Sequence, residues 1–246
     1  KMKEVDNVII TTDFVRSIRK FYIKPSLNND VSLAKLINDN ERIKYYLNIE
    51  KKVREILKYK GKIQSYNHHL CHLASAYYPS GFNRSIVISL DGVGEYETGL
   101  LGVAKNGKIR TTNFSPNYPN SLGLIYSAIT FFLGWRHHCD EGIIMGLAPY
   151  GDPNANIPGK KTTYLKIFRK IIQKDKNNGF IINKDWISYH QIHDKWVSDK
   201  FKYYFGKIRK PNSVISQKHK NIAAALQKRL EEVVLFNLKL IKKKYK

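Results

Sequence analysis

Ile86-Val87-Ile88-Ser89-Leu90-Asp91-Gly92-Val93-Gly94-Glu95 is the stretch that decides the fold class. Its first five residues are β-branched or aliphatic apart from one serine, which suits a pleated, largely buried surface and predicts a strand. An aspartate and two glycines end it, where a ligand can approach the backbone. Gly99 to Ala104 is its predicted hairpin partner, and Asn106-Gly107 marks the next tight turn. Upstream, Val8 to Thr12 predicts a short buried strand and Ile63 lies near a second one. Ser32 to Tyr59 places apolar residues at helical intervals among many charges, predicting helices that cover a sheet. Downstream, Ser121 to Leu133 reads as a helix with Asn120 or Ser121 as its N-cap and Gly134 ending it. Lys160 to Lys210 predicts a helix and then a hairpin around Asn177-Asn178-Gly179. Asn221 to Lys243 predicts a long helix with a stripe of Ile222, Leu226, Leu230, Val233, Val234, Leu238 and Ile241. Strands alternating with helices make the class α/β, with mixed sheets flanked by helices.

The chain has 246 residues and a formal charge of +23, which raises the question of a nucleic-acid partner. The charge is unevenly placed. From Tyr66 to Tyr150 five basic residues (Arg84, Lys105, Lys108, Arg110, Arg136) balance five acidic ones (Asp91, Glu95, Glu97, Asp140, Glu141). The excess lies in lysine-rich flanks such as Lys51-Lys52, Lys160-Lys161 and Lys242-Lys243-Lys244, and reads as solvated surface instead of a phosphate-reading face. No apolar run approaches the roughly 18–20 residues that span a bilayer, and Lys1 to Asp6 lacks the apolar core of a signal peptide. With only Cys71 and Cys139 there is no disulfide framework, so the expected compartment is the cytoplasm.

His68 and His72 stand four apart in Asn67-His68-His69-Leu70-Cys71-His72. On a helix that spacing puts both imidazoles on one face, which suits two ligands of one metal. His69 points about 100° away. The same pair also suits ordinary packed or surface histidines. Asp91 adds a carboxylate at the end of the strongest strand, and two imidazoles with carboxylates suit iron, manganese or zinc. A turn-capping aspartate before glycine is its alternative role. The turn Asp91 to Glu95 has backbone N–H groups that could face a phosphate. Glu141 to Gly151 mixes small and apolar residues with one acidic group, the composition of a tight turn.

Four blocks in this order resemble the nodulation-type and antibiotic O-carbamoyltransferase family. They are His68-His69-Leu70-Cys71-His72-Leu73-Ala74-Ser75-Ala76-Tyr77-Tyr78-Pro79-Ser80-Gly81-Phe82, Asp91-Gly92-Val93-Gly94-Glu95, Asn120-Ser121-Leu122-Gly123-Leu124-Ile125-Tyr126-Ser127-Ala128, and Met145-Gly146-Leu147-Ala148-Pro149-Tyr150-Gly151. The resemblance is densest from His68 to Asp152. It implies the transferase domain of an enzyme that moves a carbamoyl group from carbamoyl phosphate, by way of carbamoyl-adenylate made with ATP, to a hydroxyl of a sugar, antibiotic or other small molecule. It implies an actin-like ATPase (ribonuclease H-like) fold, incomplete here, with residues 1–84 in a first lobe and 85–246 in a second.

By the same resemblance His68, His72 and Asp91 ligate a divalent ion, iron ahead of manganese or zinc, which would polarise and orient the adenylate. Gly92, Val93, Gly94 and Glu95 face the nucleotide, and Glu141, Met145 and Gly146 lie on the substrate side. No catalytic base is assigned. The family's pattern also has an opening strand with a His-Asp pair, a later glycine-rich loop and a further ligating aspartate. Those features predict that this chain is a fragment, inactive alone, whose carbamoyl-phosphate-activating domain comes from elsewhere. A lysine is common where this chain has Ile143. The related tRNA threonylcarbamoyl-transferring proteins share the helix with paired histidines but carry a Ser-Gly-Gly-type turn in place of Asp91 to Glu95. A non-catalytic binding module is the third reading.

Overall fold

The computed structural model describes residues 4–27, 36–190 and 195–245. The architecture is mixed α/β with small sheets, and the chain divides into two compact units, Lys1–Asn117 and Tyr118–Lys246. The lobe boundary expected after residue 84 falls inside the first of these. Among the described residues no helix is long and apolar enough to cross a membrane.

In the first unit, β1 (Asn7–Ile10) and β2 (Lys62–Ser65) pair in parallel, with Val8 opposite Ile63. Parallel strands need a crossover, and helices supply it: α1 (Phe14–Ile18), a π-helical turn at Arg19–Ile23, α2 (Lys24–Ser26), α3 (Asn40–Leu47) and α4 (Ile49–Leu57). Ile18, Tyr22 and Ile43 form their buried core, so the helical periodicity read from Ser32 to Tyr59 is borne out over its described part. Positions 32–35 lie outside the described residues.

Next comes α5 (His68–Tyr77), then β3 (Arg84–Leu90), β4 (Gly99–Lys105) and β5 (Lys108–Thr111) in an antiparallel sheet. Asn106 and Gly107 both have positive φ, 50° and 73°, as a two-residue hairpin turn that follows strand twist demands. On α5, Leu73 and Tyr77 pack against Val87 and Ala104 of the sheet. This apolar seam fixes the rotation of α5 and so aims its histidines.

In the second unit, Ser121, not Asn120, caps α6 (Leu122–Phe132): its Oγ accepts the Leu124 N–H at 2.9 Å. Asn120 Oδ1 accepts instead from the Ile182 N–H. After α7 (Glu141–Leu147) and α8 (Tyr164–Ile171) comes the expected hairpin of β6 (Ile172–Asp175) and β7 (Gly179–Ile182), then α9 (Asp199–Phe205) and the 28-residue α10 (Gln217–Lys244).

The stripe on α10 differs from its reading. Ile222, Leu226, Val233 and Ile241 are buried, but Leu238 is 40% exposed, while Arg229 and Asn237 lie inside. Arg229 is tolerated there because its charge is hydrogen-bonded. Its Nε and Nη2 donate to the Ile172 carbonyl, and its Nη1 donates to Glu232.

Candidate metal centre

The site is built at the N-terminal end of α5. Asn67 caps that helix through Oδ1, which accepts the Leu70 N–H, and donates through Nδ2 to Glu95 Oε2 at 2.6 Å. Glu95 is fully buried. Its Oε1 accepts the backbone N–H groups of His68 at 2.9 Å and Asp13 at 2.8 Å. A carboxylate here satisfies helix N–H groups that have no partner within the helix and complements the positive end of its dipole. Gly94 lies against the same helix. A Cβ at this position would sit 3.0 Å from His68 Cβ and from His69 Cδ2, so a side chain would lift the loop from the histidines.

With the helix held in this way, His68 and His72 face Asp91 at the end of β3. His68 Nε2 lies 3.0 Å from Asp91 Oδ2, His72 Nε2 lies 3.2 Å from the same oxygen, and the two nitrogens are 3.0 Å apart. The His68 Nδ1 is 3.2 Å from the Thr11 carbonyl. A carbonyl only accepts, so Nδ1 carries a proton and donates it, leaving Nε2 to present its lone pair in the neutral ring. Three atoms able to ligate a metal, Nε2 of His68, Nε2 of His72 and Oδ2 of Asp91, thus converge on one point. A proton can join two of them, whereas a cation satisfies all three.

Donors bound to one ion at roughly 2.0–2.2 Å stand about 2.8 Å apart at right angles and up to about 3.6 Å apart at tetrahedral angles, and the observed 3.0–3.2 Å falls in that span. The donor set of two imidazoles and a carboxylate suits a divalent transition metal. Burial pushes the Asp91 carboxyl up, but with the imidazoles protonated and no ion between them, a hydrogen bond from His68, the Gly92 N–H and the charges of both histidines outweigh it and hold the carboxyl below its ordinary range. The side chains of His68, His72 and Asp91 are 26%, 48% and 43% exposed, so the point of convergence is open to solvent.

His69 has a different part. It is completely buried; its Nε2 donates to the Glu97 carbonyl at 2.7 Å, and its Nδ1 accepts from the Ser89 hydroxyl at 2.8 Å. Burial pushes its pKa down, so it is a neutral peg tying α5 to β3 and the following turn. Behind it, Glu97 pairs with Arg16.

Of the four residues expected at a nucleotide, Gly92 and Val93 are half-buried, Gly94 backs onto α5, and Glu95 turns inward. The Glu95 side chain positions the loop and helix. The sequence reading missed this partnership, although Asn67 immediately before the helical run is a recognisable N-cap.

The other singled-out residues belong to the second unit. Glu141 opens α7, and its Oε1 accepts the Ser127 hydroxyl and the His138 N–H, each at 2.6 Å. Burial raises the Glu141 carboxyl, but the Ser127 hydrogen bond, the backbone donors and the His138 charge together lower it. Met145 is 53% exposed, and a Cβ on Gly146 would meet nothing within 4 Å. These two lie on an open face of α7.

The family described as "Carbamoyltransferase N-terminus" matches residues 2–246. An uncharacterized protein of Synechocystis is 35% identical over 170 residues, covering 68% of this chain and 26% of the relative. Nodulation protein NolNO of Sinorhizobium fredii is 30% identical over 179 residues, with 73% and 23% covered. Nodulation protein NolO of Bradyrhizobium diazoefficiens is 31% identical over 173 residues, with 70% and 28% covered. The matched region is about a quarter of the length of these relatives.

Proposed function

This chain belongs to the carbamoyltransferase N-terminus family, and from that premise we propose that it is part of an ATP-dependent O-carbamoyltransferase. The reaction takes the carbamoyl group of carbamoyl phosphate, through carbamoyl-adenylate, to a hydroxyl of a small molecule. The fold proposed for the whole enzyme is the actin-like ATPase (ribonuclease H-like) one. Activation of carbamoyl phosphate is assigned to a further domain, in cis or as a separate chain, and the compartment to the cytoplasm.

The observation that carries this reading is the convergence of His68 Nε2, His72 Nε2 and Asp91 Oδ2 within 3.0–3.2 Å. These residues would hold a divalent ion, iron ahead of manganese or zinc. Bound there, the ion supplies a Lewis acid and a template for the carbamoyl donor. The chain's own residues make the place for it. Thr11 fixes the His68 tautomer, Glu95 holds the start of α5, and His69 locks the helix rotation. Backbone N–H groups of the Gly92-Val93-Gly94 turn are the proposed donors to the nucleotide, and the exposed face of α7 around Met145 and Gly146 is the proposed acceptor side.

The test is metal content and turnover together. Purified chain is loaded anaerobically with Fe(II) and desalted, and bound iron is counted by elemental analysis. About one ion per chain is expected in the wild type and almost none in His68→Ala/His72→Ala, because a site loses affinity steeply with each ligand. Equal metal in both overturns the assignment. In the native gene product, His72→Ala is expected to abolish carbamoylated acceptor formed from carbamoyl phosphate and ATP.

A further inference from the structure

The second unit holds a cleft of about 860 Å³ that the reading above does not use. It lies beside the C-terminal end of α6, and its walls include Phe131, Trp135, Arg136, His137, Arg209 and Lys210. Its floor is tightly built. Gly134 has φ of 87°, and a Cβ there would fall 2.6 Å from the Arg209 carbonyl oxygen, so glycine allows the two backbones to touch.

Arg209 is the informative residue. It is 7% exposed, and among the described residues no carboxylate lies within ion-pair distance of it. Buried charges are ordinarily paired. Its Nε donates to the Leu133 carbonyl, and its Nη1 donates to the Ser213 carbonyl at 2.6 Å. The guanidinium lies 4.1 Å from the centre of the Trp135 ring. Capping the end of α6 accounts for the Nε edge. It does not account for Nη2, which makes no hydrogen bond among the described residues, nor for two further cations, Arg136 and Lys210, on the same cleft. Against these three stands one carboxylate, Asp140, which accepts the Arg136 N–H at 2.9 Å. Desolvation pushes Arg209 below its ordinary pKa, as an unpaired buried cation requires.

We propose that this cleft binds a small molecule consisting of a phosphate or carboxylate on a flat apolar body. The anion lies on Arg209, Arg136 and Lys210, and the flat body lies against Phe131, Ile208 and the indole of Trp135. A guanidinium held by two carbonyls and an aromatic face is preorganised for an anion, so little rotamer entropy is lost on binding. Mixed apolar walls with a few convergent polar groups are the usual make-up of a small-ligand site.

The full chain is titrated calorimetrically with naphthyl phosphate, naphthoate, naphthol and inorganic phosphate. At least one of the two naphthyl anions is expected to bind saturably, about tenfold or more tighter than naphthol and inorganic phosphate, the value of one charge-assisted hydrogen bond. Which of the two binds tells phosphate from carboxylate. Arg136→Gln/Lys210→Gln alters only exposed side chains and is expected to weaken that binding by about tenfold with unchanged circular dichroism and Tm. Absence of saturable binding by both anions overturns the proposal. So does naphthol or inorganic phosphate binding as tightly, or an unaltered affinity in the double variant. Trp135→Phe is expected to remove the ligand-induced change in tryptophan fluorescence, which locates the event in this cleft.

Discussion

Glu95 Oε1 accepts the backbone N–H of His68 at 2.9 Å, although 27 residues separate them. The loop that follows the strand carrying Asp91 is thereby bonded to the first residue of the helix carrying both histidines. Any motion of the strand end that carries Asp91 is coupled to the two histidines through this carboxylate.

Glu95→Ala leaves the N–H groups of His68 and Asp13 and the Asn67 amide without their acceptor. The expected loss is about 3 kcal/mol, the scale of hydrogen bonds to a buried charged group. Urea unfolding of the chain measures it, and a loss below about 1 kcal/mol would show that water replaces the carboxylate at little cost.

Asp91→Asn keeps the size of the side chain and removes the charge facing His68 and His72. Its affinity for Fe(II) is expected to fall more than about 100-fold, beyond the range seen for residues that only support ligands. Competition with a chelator reads this directly. At a hundredfold excess of Fe(II) over Kd, the wild type should gain about 2.7 kcal/mol of stability, and Asp91→Asn should gain almost none.

Glu232 supplies a pH dependence away from the candidate metal centre. The hydrogen bond from Arg169 comes first and that from Arg229 helps, against burial, to hold its carboxyl at about 2, below the ordinary 4.5. A depressed carboxyl stabilises the fold above the unfolded value, and that contribution is lost as pH falls from 4.5 through about 2. The Arg169 side chain is 50% exposed, so screening reduces the effect to about 1 kcal/mol. Glu232→Gln is expected to be less stable than wild type at pH 6, with the difference disappearing across that window. A constant difference at all pH values would refute the linkage.

Gly134→Ala is expected to cost about 2 kcal/mol or more, since it combines a left-handed backbone with a clash at the Arg209 carbonyl. The same change should disturb the cleft. Thermal unfolding reports the first effect, and calorimetry with the naphthyl anions reports the second.

The sequence alone determined the features whose causes lie within a few residues of each other. A run of β-branched and aliphatic residues made β3, Asn106-Gly107 made a tight turn, the four-residue spacing aligned His68 with His72, and apolar periodicity made the long last helix. Only the tertiary structure decided what depends on distant partners. It brought Asp91 onto both imidazoles, aimed Glu95 inward across 82 residues to Asp13, and made His69 a buried peg. It also put Arg229 inside α10 and Leu238 outside, because the Ile172 carbonyl and Glu232 lie where the guanidinium needs them. Periodicity sorts residues by hydrophobicity around an element. The partners that let a charge be buried come from other elements, so the pattern within one helix does not contain them.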